Sequence, residues 1–264
     1  MSRRLYALAL AVFCVSAISP VTAEQLAADL SEHQIAVRPN FTGTQILLFG
    51  AIEGVAPDDA GAQRDVVVVV SGPEGPVTVR RKERRSGIWV NYESIVFGQV
   101  PGYYAVASTR PLDTITGVDV RAIEKIGAEN LSFGPSQGHN LAGRDVGLNA
   151  KAEQDFSAAL IRTKTEQGLY LADPGGVTFL GKSLFRVTLD IPANVPVGLY
   201  SAKVLLFREG QVIDALSSPV YIEKSGLERR LYRFAQFQPF FYALFSLTLA
   251  VAAGWAASAA FRDQ

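Results

Sequence analysis

Apolar side chains recur at a period of two over residues 33–38 and, at greater length, over 44–52, the spacing of strands with one buried face. Residues 65–71 contain five consecutive valines, which suits a strand buried on both faces; so short a run favours strand over helix. Gly72-Pro73-Glu74-Gly75-Pro76 then predicts a turn. Residues 77–81 and 87–90 predict a hairpin, and Val96 and Phe97 lead into a further strand across 100–107. The alternation returns at 183–191, 199–207 and 212–222.

Between these two β regions, from about 111 to 176, the period changes. Ala152, Phe156, Ala159, Leu160 and Thr163 fall on one face at helical spacing, opposite Glu153, Asp155, Arg162 and Glu166. A weaker helical pattern covers 118–126, and the glycine-rich FGPSQGHNLAGRDVG between the two reads as a loop. Before the strand at 199–207 stands IPANVPVGLY, a proline-and-glycine turn that delivers Tyr200 into the strand. Such turns feed late strands of immunoglobulin-type sandwiches, where the tyrosine anchors a corner. Val100-Pro101-Gly102-Tyr103 echoes it, but too few strands exist for two complete sandwiches. The expected fold is therefore mainly β with α: one immunoglobulin-like antiparallel β-sandwich over 24–224 with a helical insertion at about 111–176, plus one C-terminal transmembrane helix.

The two ends supply the address. Arg3 and Arg4 precede an uncharged stretch and then Pro20-Val21-Thr22-Ala23, the organisation of a secretory signal peptide over 1–23 with cleavage after Ala23. No charge occurs between Arg233 and Arg262, and 239–261 is overwhelmingly apolar with aromatic residues near both ends, which predicts a membrane span. Leu227, Leu231, Phe234 and Phe237 recur at helical spacing beside arginines, so 225–238 is expected to be a juxtamembrane amphipathic segment, with 262–264 as the cytoplasmic tail. This predicts a single-pass protein with the bulk of its chain outside the cytoplasm.

Charge narrows the partners. The chain carries 25 basic and 25 acidic residues; removal of the first 23 leaves 23 against 25 and takes away the only cysteine. An almost neutral body outside the cytoplasm excludes nucleic acid as the partner. The cations Arg80, Arg81, Lys82, Arg84 and Arg85 form one dense run on the expected hairpin, with no aromatic residue inside it. Lipid head groups, an anionic polymer or an acidic partner surface are the anions available to it. On the terminal segment, Ala250, Gly254 and Ser258 repeat at four-residue spacing, a stripe that allows another helix to approach closely.

Catalytic chemistry is not evident. The two histidines, His33 and His139, lack a second ligand at metal spacing. Ser136, His139 and Asp145 are the ingredients of a hydrolytic triad within ten positions of a loop, a clustering common by chance. No nucleophile elbow, phosphate-cradling loop or HEXXH sequence occurs. The expectation is no enzyme, no cofactor and no metal.

The segments VPGYYAVASTRPL, LFRVTLDIPANVPVGLYSAKVLLFREG and FQPFFYALFSLTLAVAAGWAASAAF, with the earlier TGTQILLFGAIEG, resemble a family of alphaproteobacterial transmembrane proteins over nearly the whole chain after residue 23. The resemblance implies a Gram-negative cell, hence a single-pass protein of the inner membrane with its N-terminal domain in the periplasm, and no reaction, cofactor or catalytic residue. It also implies, as a partner, a permease similar to sulfite or organosulfonate exporters. The function expected is an accessory subunit of an envelope or transport complex, touching membrane lipid and another inner-membrane protein or a second copy of itself. The alternative is a membrane-tethered ligand-binding or sensor module whose pocket lies between the sandwich and the helices around 118–163.

Overall fold

The structure is a computed structural model that describes residues 24–37, 42–54, 63–140, 145–147, 149–224 and 234–260. In chain order its strands and helices are β1 (Gln25–Leu30), β2 (Gln34–Val37), β3 (Gly43–Glu53), β4 (Arg64–Ser71), β5 (Glu74–Arg85), β6 (Ile88–Pro101), β7 (Tyr104–Ser108), α1 (Leu112–Ile115), α2 (Val118–Glu124), β8 (Ser136–Asn140), β9 (Asp145–Val146), α3 (Ala150–Glu166), β10 (Tyr170–Pro174), β11 (Val177–Leu180), β12 (Leu184–Pro192), β13 (Gly198–Arg208), β14 (Gln211–Lys224) and α4 (Pro239–Ala260).

Two sheets form a sandwich. One has the order β1-β3-β12-β11, the other β10-β7-β4-β13-β14-β2. The pairs within them are antiparallel except at the two edges of the second sheet, where β10 runs parallel to β7 and β2 parallel to β14. This is the strand order of a variable-type immunoglobulin sandwich.

Each sheet keeps its order because one face is apolar. In β12 the burial alternates strictly, with Phe185, Val187, Leu189 and Ile191 inside. The valine run of β4 lies at the centre of the second sheet and is buried on both faces. One face meets the opposite sheet. The other is covered by the α1–α2 segment, which the Lys203–Glu124 ion pair and the Thr116 hydroxyl, donating to the Gly210 carbonyl at 2.7 Å, hold against β13.

The predicted tyrosine corner is present: Tyr200 is buried and its hydroxyl donates to the Pro196 carbonyl at 2.5 Å. Its ring lies 5.9 Å from that of Tyr103, whose hydroxyl donates across to the Asp190 carbonyl of β12. No cysteine occurs in the described residues, and the Tyr103 hydrogen bond ties the two sheets together at this corner.

Three expectations need correction. The insertion at 111–176 is not simply helical. It contributes β8 and β9, which extend the β5–β6 hairpin into a third sheet of order β5-β6-β8-β9. SQGHN in β8 carries no strand-like alternation, so only pairing with β6 makes it a strand.

The end of the expected helical insertion, Tyr170–Pro174, is instead the strand β10, and Val177–Leu180 just after it supplies β11 to the sandwich.

The expected single-pass transmembrane helix at 239–261 is overturned: among the described residues no helix is long and apolar enough to cross a membrane. Residues Pro239–Ala260 form the helix α4. The signal segment 1–23, residues 225–233 of the juxtamembrane segment and the tail 262–264 lie outside the described residues.

Candidate interaction surface

The third sheet rests on α3 through its own small core of Ile95, Phe97, Val100, Phe133, Phe156 and Leu160. Asn149 starts that helix by accepting a hydrogen bond from the Ala152 amide at 2.7 Å, which satisfies one of the free donors of the first turn. From this base the β5–β6 hairpin runs out to a two-residue turn. Ser86 and Gly87 both have positive φ, 48° and 87°, the conformation of a type I′ turn that matches the twist of the two strands.

The five candidate cations lie on β5 rather than at the tip. Alternation along the strand divides them between two faces. Arg81, on the face that meets α3, pairs with Glu93 at 3.3 Å and Asp155 at 3.8 Å and stands 4.7 Å over the Phe156 ring. Arg85, on the same face, pairs with Glu83 at 3.1 Å and stands 4.4 Å over the Tyr92 ring. Arg80, Lys82 and Arg84 occupy the opposite face, are exposed, and form no ion pair among the described residues.

The partner strand decides what accompanies them. A bulge between Arg81 and Lys82 leaves Tyr92 as the extra residue of β6, so Arg80 faces Ser94, Lys82 faces Asn91 and Arg84 faces Trp89. Trp89 is 68% exposed and Ile88 64%. The sequence reading considered only the run itself and missed Trp89. The signal available to it was an aromatic residue placed shortly after a glycine turn, where register returns it to the cations.

The other candidates sit elsewhere. Ala250 and Gly254 lie on an exposed face of α4, and a Cβ added at Gly254 meets no atom within 4 Å; the Ser258 side chain lies outside the described residues. His33 sits between β1 and β2 with Nε2 3.1 Å from an Asp29 oxygen. His139 lies opposite Asp145 in the register of β8 with β9. Ser136 is three residues away and so on the other face of the strand, where its hydroxyl donates to Glu153 Oε1 at 2.8 Å. The structure does not bring Ser136 to His139.

A groove of about 380 Å³ runs along the free edge of β5 beside α3, lined by Val77, Val79, Leu160, Thr163 and Lys164 and also bordered by Thr78 and Arg80 of the outer face. It lies against the third sheet, not between the sandwich and the helices as expected for a ligand module. Burial lowers the Lys164 amine below its ordinary range. Among the described residues no group of three or more His, Cys, Asp or Glu is placed to hold a metal.

No curated protein matches the chain. Residues 25–263 match the model of a family described as "Putative transmembrane protein" (Alph_Pro_TM). With nearly the whole β body and the terminal helix inside that match, the chain belongs to this transmembrane protein family.

Proposed function

We propose that this protein is a non-enzymatic interaction subunit of the cell envelope, held at the inner membrane with its β-sandwich in the periplasm. It would serve as an accessory component of a transport complex built around a permease. The observation that carries this reading is the division of the hairpin. One of its cations, Arg81, helps to hold the third sheet to α3, and Arg85 is engaged within the hairpin by Glu83 and Tyr92, while three are presented on the other face beside an exposed indole. Structural cations are ordinarily paired or scattered; an unpaired one-sided set favours an external anionic contact. Ala250 and Gly254, on an exposed face of α4, would receive a partner helix.

The test is extraction of the full-length protein from its native membrane in mild detergent, with quantitative mass spectrometry of whatever co-purifies in stoichiometric amount. A permease that is lost on Gly254→Leu supports the reading. Recovery of the protein alone would sink it. A second reading, a membrane-tethered ligand-binding module, is favoured by the cationic groove along β5 beside α3. Inorganic phosphate or sulfate that raised the Tm of the full chain, and failed to do so after Lys164→Ala, would support it.

A further inference from the structure

We infer that the outer face of the β5–β6 hairpin is a contact for an anionic lipid surface, with Arg80, Lys82 and Arg84 on phosphate groups and Trp89 at the boundary between head groups and chains. This deepens the proposed function and rests on its membrane location. Three observations converge on it. From Thr78 to the turn the face carries Thr78, Arg80, Lys82 and Arg84 from β5 with Trp89, Asn91, Ser94 and Val96 from β6 and no acid, Glu74 standing at the far end of β5. The acids of this outer part of the hairpin, Glu83 and Glu93, lie on the other face and are occupied by Arg85 and Arg81.

The apolar residues sit at the extremity. Ile88 and Trp89 directly follow the Ser86–Gly87 turn and are among the most exposed large hydrophobic side chains of the β body. An acidic protein patch would be matched by the cations alone and would leave an indole in water. A bilayer interface takes both, because the indole is amphipathic and each Lys or Arg near an anionic surface gains about fivefold in partition.

The chain has two tryptophans, so Trp255→Phe leaves Trp89 as the only indole. That full-length variant is reconstituted into vesicles of phosphatidylcholine, alone or mixed with phosphatidylglycerol, with and without brominated chains. Flotation is measured beside tryptophan emission.

The expected result is flotation with both vesicle types, but blue-shifted, bromine-quenched Trp89 emission only where phosphatidylglycerol is present. With Arg80→Glu, Lys82→Glu and Arg84→Glu together, the shift and quenching should be lost while the Tm holds. Loss of three cations corresponds to contact on the order of 100-fold weaker. Flotation with water-exposed Trp89 in both lipids overturns the hairpin contact and spares the proposed location. Shielding of Trp89 that requires a co-purified acidic protein also overturns it, and failure to float with either vesicle overturns both.

Discussion

Arg84 lies directly across the β5–β6 hairpin from Trp89, whereas Arg81, on the same strand but the opposite face, stands over the Phe156 ring of α3. Neighbouring cations therefore have different tasks, and their substitutions should separate. Arg84→Ala is expected to change the Tm by no more than an exposed surface change does, within about 0.5 kcal/mol. Arg81→Ala should cost roughly 1 kcal/mol, since it removes a ring contact and two half-exposed ion pairs. Equal effects in thermal unfolding would contradict the division of faces.

Phe156→Ala should act locally. Its ring belongs to the core between α3 and the third sheet, which is distinct from the core of the sandwich. A loss of about 3 kcal/mol is expected. Hydrogen exchange should accelerate in β5, β6 and β8 first, with β4 and β13 retaining their protection. Uniform acceleration across all three sheets would show that they unfold as one unit.

Tyr200→Phe deletes the hydrogen bond to the Pro196 carbonyl and leaves that corner without its anchor. The expected cost is about 1 kcal/mol in denaturant unfolding at unchanged m-value. Tyr221→Phe, on an exposed position of the neighbouring strand, serves as the control and should be near neutral.

Alkaline pH should unfold the protein more steeply than its charge balance suggests. Burial pushes the hydroxyls of Tyr103, Tyr104, Tyr170 and Tyr200 above the ordinary tyrosine range. Above a pH of about 10 the unfolded chain releases these protons while the folded one retains them. Stability is thus fully present below that pH and falls as pH rises through the folded values. Tyrosinate absorbance and circular dichroism followed together should change in one transition; tyrosines that ionise well before the sheets melt would refute this.

Asp65 accepts from Thr109 Oγ1 and from Arg110 Nε and a terminal guanidinium nitrogen, each at 2.8 Å, and is itself buried at the head of β4. Asp65→Ala should therefore cost about 3 kcal/mol, as the loss of one partner of a largely buried pair does. A double-mutant cycle with Arg110→Ala should show a coupling well above 0.5 kcal/mol.

Wherever burial is one-sided along a strand, the amino-acid sequence alone determined the element, because period-two patterning is a property of neighbouring residues. The strands at 43–53, 184–192, 198–208 and 211–224 and the helix over 150–166 were legible for that reason, as was the tyrosine corner. The short strand Gln25–Leu30 places Leu26 and Leu30 inward but is built of alanine, aspartate and glutamine, residues with weak strand preference. Only pairing with β3 completes it.

Tertiary structure likewise decided β8, whose polar residues follow their partner strand, and the parallel edges formed by β2 and β10. At the candidate surface, composition identified five cations but not their sorting. One bulge residue, Tyr92, resets the register so that three cations share a face with Trp89 and two lie on the other, Arg81 against α3 and Arg85 over Tyr92. Register arises between strands, and so no stretch of sequence read by itself contains it.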